Sequence, residues 1–499
     1  MRLIGRVADG ATEASAKVIL QKDEEKRVLA EELALIKNGG EENPVAEILG
    51  VLREGLGKNE FLSHTSYRPD VAYMKYGGEP SGAREVYSFT IRPIGIVTEQ
   101  GIRFNRAIIQ PRSPVFLLEE GQDRPLELLA RGEDVLWSGA YVEGHPSWRV
   151  PMRRAYIPFH IGVYGTTGSG KSWFTRFILL PLLRQAGYRI LVLDWSGTDY
   201  APFYADADHA KVVKLSEVAL DEESMSSYLR GKTSDFSKND YVRDAIDEFL
   251  ERWRDEVIAA KKQAEASPGK KEEMLLWERL REYVMSSLEK VRHDTWKASA
   301  QRAARRVFRR LKPEDLRPLL GTLAVEELSN ELLQSLQMLV LDLGGMTAEA
   351  KIGFFLGLGR HLYRLMEEGR TLNIALIIDE APQYAPWDPK GIQAESAELI
   401  KNLAALGRKR GLNLTLIAQG IKGEIGINAA VRRNLNTHFI GRIHPLDAGG
   451  EGGAAEWLSP YGITPDRLLL LEQGRFYFSG LMNPSPVPLL ITYTPPEGS

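Results

Sequence analysis

The sequence contains no cysteine and little histidine, and these two shortages exclude several kinds of site. None of its 499 residues is cysteine, so the chain forms no disulfide, no iron–sulfur cluster and no thiolate zinc site. Its 8 histidines are scattered, and none stands at a metal-binding spacing such as H-E-x-x-H. The sequence therefore gives no signal for a zinc enzyme or a disulfide-stabilised domain.

Long apolar runs and an excess of charge are missing as well. The longest apolar stretches, such as residues 177–183 and 468–471, are far shorter than the ~20 residues of a membrane-spanning helix. The N-terminal segment does not resemble a signal peptide, so we expect a cytoplasmic protein with no membrane partner. The formal net charge of −3 gives no overall affinity for nucleic acid. A polyanion site would have to be a local patch or a ring of several copies.

Residues 1–150 and 151–499 differ in their patterns. The first part has short β-rich segments separated by Gly, Pro, Asn and Asp, which predicts a small β-barrel, with some helix near residues 24–37. In the second part, apolar strands alternate with helical segments, which predicts an α/β core with buried parallel strands. Residues 217–330 have helical spacing and predict a helical insertion. The RRVFRR cluster in this insertion has two interpretations, a solvent-exposed helix face and a contact with nucleic acid. We favour the exposed helix face.

The strongest motif is GTTGSGKS, residues 165–172, which lies between a short apolar strand and a helix-forming run. It fits the G-x-x-x-x-G-K-[ST] phosphate loop in full. The glycines let backbone N–H groups point at phosphate oxygens, Lys171 is predicted to reach the β- and γ-phosphates, and Ser172 to bind Mg²⁺. The chain is therefore predicted to bind ATP or GTP. The predicted nucleotide contacts in this segment are Gly165, Thr167, Gly168, Ser169, Gly170, Lys171, Ser172 and Trp173.

Two further strand ends carry candidate catalytic groups. In IALIIDEAP, Asp379 and Glu380 follow an apolar strand. Hydrolysis needs a carboxylate in the Mg²⁺ shell and a base that orients water, so we assign these roles to Asp379 and Glu380 respectively. Gln419, at the tip of another buried strand, is predicted to sense the γ-phosphate. The alternative for Asp379 and Glu380 is an ordinary strand-to-turn transition, and the alternative for Gln419 is an amide that faces solvent.

Two arginines have two possible roles each. Arg408 lies at the end of a predicted helix in LGRKRGLN, and Arg442 lies in NTHFIGRIHP. Cations commonly cap the C-terminus of a helix. An arginine at such a position can also project into the nucleotide of a neighbouring subunit as a finger. Both interpretations are open for both residues.

Seven segments, taken in order, resemble the HerA branch of the HerA/FtsK superfamily of ring ATPases: GTTGSGKS, LVLDWSG, LVLDLGG, LIIDEAP, GRKRGLNLTLIAQG, NLNTHFIGRI and LLEQGRFYFSG. The resemblance covers nearly the whole chain. It implies an α/β fold: a RecA-like P-loop NTPase core with an N-terminal small β-barrel, a helical insertion, and a C-terminal tail, residues 481–499, that braces a neighbouring subunit. It also implies a homohexamer that hydrolyses ATP to move double-stranded DNA through its channel, with a NurA-like nuclease as partner in DNA-end processing and repair.

The resemblance also implies roles for single residues. The sequence departs from the family at Pro382, where members often have His, and at Phe159, where some have Arg. The second departure bears on the contacts to the nucleotide base. By resemblance, Lys171 and Ser172 form the P-loop pair, Asp379 and Glu380 the second acidic motif, and Gln419 the sensor. Arg408 and Arg442 are the candidate arginines acting in trans, and Phe478, Ser479 and Gly480 line the base.

Two other functions remain open at this point. The ring could be the ATPase scaffold of an anti-phage defence complex that holds a nuclease or NADase effector, or the chain could be a conjugation-type or secretion ATPase. A ring would also reconcile DNA binding with the net negative charge of the chain. Six copies of a short cationic loop can line the central channel of a hexamer even when each chain is acidic overall. Lys390 and Lys422 are the candidate DNA contacts, with an ordinary exposed surface as the alternative.

Overall fold

The computed structural model describes residues 1–59, 71, 74–78, 85–232, 238–266, 271–321 and 323–495. The chain forms two compact units. One comprises residues 1–156, 165–182 and 437–499, and the other comprises residues 157–164 and 183–436. Within the described ranges, no helix is both long enough and apolar enough to cross a membrane. The cytoplasmic location stays a prediction.

The N-terminal part of the first unit is a closed β-barrel. Six strands pair in the order β2, β1, β7, β3, β4, β5, and β5 pairs again with β2, which closes the ring. The small strand β6 adds to β5. Apolar side chains such as Ile4, Val18 and Ile91 fill the barrel and are fully buried. The strands are Arg2–Val7 (β1), Ala16–Leu20 (β2), Leu33–Asn38 (β3), Ala46–Asn59 (β4), Glu85–Thr98 (β5), Gly101–Arg103 (β6) and Pro114–Leu117 (β7).

The helix expected near residues 24–37 is mostly absent. Only Glu24–Lys26 forms a short 3₁₀ turn, and β3 begins at Leu33. The reason is tertiary: β3 pairs with both β4 and β7, and these two ladders bury the run Leu33–Ile36. Pairing on both sides therefore overrides the helix propensity of this segment, which is only a weak determinant of structure.

The rest of the first unit is an antiparallel sheet that supports the phosphate loop. Its strands pair in the order β18, β19, β20, β8, β9. The helix after the loop begins at Lys171 and contains a π-helical stretch, Thr175–Leu179. Phe174 on this helix packs against the rings of Phe439 and Phe476, with centroids 4.8 and 4.6 Å away. The strands are Val135–Val142 (β8), Arg149–Arg153 (β9), Thr437–Ile440 (β18), Phe476–Gly480 (β19) and Leu489–Thr492 (β20), and the short helices are Pro125–Ala130, Pro445–Ala448, Ala454–Leu458 and Pro465–Leu469.

The second unit is built on a parallel sheet, as the apolar runs predict. Its strands pair in the order β12, β15, β11, β16, β17, β10, all in parallel. The helices Ala348–Glu367 and Ile392–Arg410 pack against one another within this unit. The strands are Ile161–Tyr164 (β10), Arg189–Asp194 (β11), Ala210–Lys214 (β12), Met338–Asp342 (β15), Ile374–Ile378 (β16) and Leu412–Ala418 (β17), and the short helices are Ala201–Tyr204 and Ala429–Arg432.

A run of helices interrupts the parallel sheet where the insertion is predicted. The short strands Val218–Ala219 (β13) and Leu323–Ala324 (β14) pair in parallel, so the two ends of this run meet. In the last helix before β14, Ala304 and Val307 are buried, whereas the arginines of the RRVFRR cluster are exposed. The fold class, an α/β P-loop core with an N-terminal β-barrel and a helical insertion, is confirmed. The helices of the run are Glu222–Lys232, Asp240–Leu250, Trp253–Ala266, Glu272–Glu289 and Asp294–Arg310, and Val325–Gln334 follows β14.

Candidate functional site

The phosphate loop of the first unit has a backbone that only glycine adopts readily. Gly168 and Gly170 have φ values of 78° and 93°, in the left-handed region that penalises a Cβ atom. At Gly170, a Cβ atom would also lie 3.1 Å from the backbone nitrogen of Gly474. The spacing of the glycines in the motif therefore follows from the curvature of this loop.

Neighbouring segments of the same unit hold the loop in place. The backbone N–H of Thr166 donates to the carbonyl of Arg442 at 2.7 Å, and the N–H of Gly474 donates to the carbonyl of Ser169 at 2.9 Å. The hydroxyl of Tyr493 donates to the carbonyl of Gly170 at 3.2 Å. Sequence reasoning missed Gly474 and Tyr493, because no spacing rule links these distant segments to a phosphate loop.

Lys171 and Trp173 both have partners within the first unit. The Lys171 ammonium donates to the carbonyls of Gly165 and Thr166 at 2.6 and 3.1 Å. A Lys ammonium has three N–H donors and no acceptor, so phosphate oxygens are suitable alternative partners. The ring of Trp173 contacts the ring of Phe177, with centroids 5.4 Å apart. Ser172 lies half-buried in the first turn of the helix, and its contact with Mg²⁺ stays a prediction.

Ser479 and Gly480 lie at the far end of β19 from the segment that contacts the loop. They pair with His438 and Thr437, at the start of β18, whereas Arg442 follows the other end of that strand. At ~3.3 Å per residue, this separation is on the order of 10 Å. The structure does not bring these two residues to the phosphate loop, and their predicted contact with the base stays a prediction.

The second unit gathers carboxylates at the carboxyl edge of its parallel sheet. Asp194 ends β11, and Asp379 follows β16 beside it, because Leu193 is in register with Ile378. Asp194, Asp199 and Asp379 each offer an oxygen, and these atoms lie within 4.8 Å of one another. A set of carboxylate oxygens of this kind suits a hard divalent cation such as Mg²⁺.

Burial and neighbouring negative charges both disfavour ionisation of Asp379 in this cluster. Burial, followed by the charges of Glu380, Asp199 and Asp194, raises the pKa of Asp379 well above its usual range. A bound divalent cation would relieve this repulsion and favour the ionised carboxylate. The cluster therefore has the charge and the ligand chemistry of a metal site.

Asp194 orders the turn that carries Asp199. One of its carboxylate oxygens accepts from the backbone N–H of Gly197 at 3.0 Å, and the other accepts from the N–H groups of Tyr200 and Ala201, both at 2.9 Å. Sequence reasoning quoted this segment, LVLDWSG, but gave no role to Asp194 or Asp199. The signal available was an acidic residue at the end of a buried strand, the same signal that singled out Asp379.

Glu380 and Gln419 are adjacent in space. The side-chain amide of Gln419 donates to Oε1 of Glu380 at 2.7 Å. Glu380 has a φ of 47°, which is uncommon for a residue with a Cβ atom and costs free energy. The roles of these two residues as base and sensor stay predictions, but the geometry brings them together.

A buried lysine lies close to the acidic cluster. The ammonium of Lys351 donates to the carbonyl of Trp195 at 2.7 Å and lies 4.4 Å from the centre of that indole ring. Burial lowers the pKa of Lys351, against the opposing charges of Asp194 and Asp342. Lys351 thus supplies positive charge that partly offsets the repulsion among the carboxylates.

The other predicted cations lie on or near the surface of the second unit. Arg408 is exposed, its guanidinium lies 5.4 Å from the centre of the Phe159 ring, and it donates to the carbonyl of Asn434 at 3.4 Å. Lys390 is exposed and pairs with Asp388 at 3.0 Å. Lys422 is half-buried. The structure does not gather these cations at the acidic cluster.

Residues 144–356 match a family model described as helicase HerA, central domain. The resemblance to the HerA family is confirmed. The matched range contains the phosphate loop and the strands that end in Asp194 and Asp342, and it includes the helical insertion. Asp379, Glu380, Gln419 and both candidate arginines lie outside it.

Three solved structures are similar to the chain at low identity. VirB4 of Thermoanaerobacter pseudethanolicus is 14% identical, with a TM-score of 0.46, over 68% of this chain and 90% of that one. The bacterial conjugative coupling protein TrwB is 15% identical, with a TM-score of 0.44, over 68% and 86%. The genome packaging NTPase B204 of Sulfolobus turreted icosahedral virus 2 is 12% identical, with a TM-score of 0.31, over 68% and 99%. No curated protein matches the chain.

Proposed function

We propose that this chain is an ATP hydrolase that assembles as a homohexamer, moves double-stranded DNA and acts with a nuclease partner in DNA-end processing. The observation that carries the proposal is the phosphate loop, with its left-handed glycines and Lys171, in a chain whose range 144–356 matches the HerA central domain. The pairing of Glu380 with Gln419 adds a base for the attacking water.

Each group has a defined task in hydrolysis. The N–H groups of the loop and the Lys171 ammonium would bind the phosphates, and Ser172 and Asp379 would hold Mg²⁺. When bound, Mg²⁺ supplies positive charge to the phosphate oxygens. Glu380 accepts a proton from the attacking water or orients it, and Gln419 fixes one oxygen of that carboxylate. Hydrolysis in this scheme depends mainly on positioning and electrostatic stabilisation.

DNA binding depends on assembly in this proposal. A single chain with a net charge of −3 has no general attraction for DNA. Six copies would place rings of Lys390 and Lys422 around a channel, where phosphate contacts add up and become sensitive to salt. The order of events would be assembly, DNA entry and ATP-driven movement.

Two variants test the hydrolase assignment. Lys171→Ala should weaken ATP binding, because it removes the main point charge on the β- and γ-phosphates. Glu380→Gln should bind ATP like the wild type and lose hydrolysis by roughly 10²-fold or more. Binding of a fluorescent ATP analogue and release of phosphate are measured together. Unchanged ATP affinity in Lys171→Ala, or normal hydrolysis in Glu380→Gln, would count against the assignment.

Assembly and partner require separate measurements. Native mass spectrometry should show hexamers, and double-stranded DNA should raise the hydrolysis rate of the wild-type chain. Mass spectrometry of the proteins that copurify with the untagged chain identifies the partner, whether a nuclease or the NADase effector of a defence complex. A monomer that hydrolyses ATP at the full rate, with no change when DNA is added, would contradict the proposed role as a DNA translocase.

A further inference from the structure

We propose that Arg442 binds the terminal phosphates of the nucleotide held by its own chain, and does not act on the nucleotide of a neighbour. The inference rests on the proposed function, because it requires that the loop binds a nucleoside triphosphate. It gives Arg442 a role in nucleotide binding within its own chain, which differs from both sequence-based interpretations, a helix-capping cation and a finger acting in trans.

The backbone places Arg442 directly on the phosphate loop. Arg442 follows strand β18, Thr437–Ile440, and its carbonyl accepts from the N–H of Thr166 at 2.7 Å and from the Thr166 hydroxyl at 3.3 Å. The carbonyl also lies 3.2 Å from where a Cβ atom on Gly165 would be. A residue bonded in this way moves together with the loop.

The side chain of Arg442 points along the same loop. A Cβ atom on Gly168 would lie 4.0 Å from Nη2 of Arg442, so the guanidinium reaches the middle of the phosphate-binding turn. Both ends of the residue, carbonyl and guanidinium, therefore lie against the G-x-x-x-x-G segment of one chain.

The guanidinium is half-buried and, in the part of the chain that the structure describes, pairs with no anion and donates no hydrogen bond. A cation that gives up part of its hydration without a partner is costly. A phosphate bound to the loop would supply that partner through charge-assisted, bidentate hydrogen bonds, for which the planar guanidinium is well suited. This missing partner is what identifies Arg442 as a ligand of phosphate.

Packing fixes the position of the strand that carries Arg442. Phe439 on β18 lies 4.7 Å from the ring of Phe478 in a stacked arrangement and 4.8 Å from the ring of Phe174 on the helix after the loop. Because helix, strand and loop pack as one body, the guanidinium is pre-positioned before nucleotide binds, which lowers the entropy cost of binding.

Arg408 provides the contrast. Its guanidinium lies over the ring of Phe159 and donates to the carbonyl of Asn434, and neither partner belongs to the phosphate loop. The trans role, if it exists in this chain, therefore falls to Arg408 and not to Arg442.

The first test measures affinity. Arg442→Ala keeps the backbone carbonyl that holds the loop, and it should weaken binding of a fluorescent ATP analogue by about tenfold to a hundredfold, as expected for the loss of charged hydrogen bonds. Arg442→Lys should recover only part of the affinity, because the ammonium lacks the bidentate fork. The matched control is Arg124→Ala, which removes an exposed arginine of the same unit that pairs with Glu127. Thermal unfolding without nucleotide checks that each variant is folded.

The affinity results separate the two proposals. Normal ATP binding by Arg442→Ala, with binding lost in Lys171→Ala, would overturn the role of Arg442 and leave the hydrolase assignment intact. Normal binding by both variants would overturn both. If Arg442→Ala proves unfolded, Arg442→Lys decides: affinity equal to that of the wild type is then the overturning result.

A mixing experiment tests cis against trans. Arg442→Ala is mixed with Glu380→Gln under conditions where mass photometry shows mixed oligomers. In the cis arrangement every site lacks either its arginine or its glutamate, so the mixture hydrolyses ATP no faster than the Arg442→Ala chains do alone. Recovered hydrolysis would show that Arg442 acts on a neighbour and would overturn the inference.

Discussion

Gln419 donates a hydrogen bond to Glu380 at 2.7 Å, although the two residues are 39 positions apart in the sequence. The bond fixes one carboxylate oxygen of Glu380 and leaves Oε2 to accept from another donor. Gln419 sits at the end of β17, the strand next to the one that carries Glu380. A change at Gln419 should therefore act on hydrolysis through the orientation of Glu380.

Gln419→Ala should lower kcat by about 10- to 100-fold with little change in ATP affinity, because the base stays present but loses its orientation. Steady-state hydrolysis and nucleotide binding are measured side by side. Gln393→Ala is the control, since Gln393 donates to a backbone carbonyl on the surface of the same unit. A loss of affinity equal to the loss of kcat would assign Gln419 to nucleotide binding instead.

Asp199→Asn should raise the Mg²⁺ concentration for half-maximal hydrolysis by about tenfold, because it removes one carboxylate from the cluster with Asp194 and Asp379. Titration of Mg²⁺ at saturating ATP measures the effect. The control Asp206→Asn removes an exposed carboxylate from the segment that follows. An unchanged Mg²⁺ requirement would exclude Asp199 from the metal shell.

Asp379→Asn should stabilise the metal-free protein at neutral pH. The folded-state pKa of Asp379 is raised above its unfolded value, so folding opposes ionisation of this carboxyl, and the resulting penalty grows as pH rises from the unfolded pKa to the raised one. The gain in Tm of the variant should therefore be largest at neutral pH and should vanish as pH falls below the unfolded pKa. Thermal unfolding of the variant and the wild type in the presence of a chelator, repeated across pH, measures this gain. Asp388→Asn, which removes an exposed carboxylate, is the control. A gain in Tm that does not depend on pH would contradict this cause.

Tyr493→Phe should weaken ATP binding by up to about tenfold, because its hydroxyl donates to the carbonyl of Gly170 in the phosphate loop. The ring would still pack on Phe174, so the fold should survive. Tyr141→Phe is the matched control, since that hydroxyl bonds to Thr494 on an exposed surface. Equal effects of the two variants would mean that Tyr493 acts on stability and not on the loop.

The sequence predicts most of this architecture because the relevant signals are local. Left-handed glycines, buried parallel strands and acidic residues at strand ends follow from patterns within about ten residues, and the structure has the predicted β-barrel, parallel sheet and helical run. The exception at residues 24–37 arises because β3 owes its conformation to pairing with β4 and β7. Pairing of distant strands is not encoded in the local pattern.

What could not be predicted depends on contacts between distant segments. Gly474 and Tyr493 reach the phosphate loop from more than 300 positions away, and no motif contains both partners. Asp199 became a candidate ligand only when the turn ordered by Asp194 placed it beside Asp379. For Arg442, the sequence shows an arginine that follows a predicted strand. It does not show that this arginine contacts the phosphate loop of its own chain.

Arg408 is the remaining candidate for action between subunits. It lies exposed at the end of the helix Ile392–Arg410, where its guanidinium contacts the ring of Phe159 and the carbonyl of Asn434. If it stabilises the transition state at a neighbour's nucleotide, Arg408→Ala should lower kcat by about 10³-fold while sparing ATP affinity. A mixture of Arg408→Ala and Glu380→Gln should then regain hydrolysis, because some interfaces pair an intact glutamate with an intact arginine. Lys409→Ala, one residue along on the same exposed turn, is the control and should hydrolyse ATP normally. If mixed oligomers form and remain inactive, the trans role of Arg408 is wrong, and the loss of kcat in Arg408→Ala arises within its own chain.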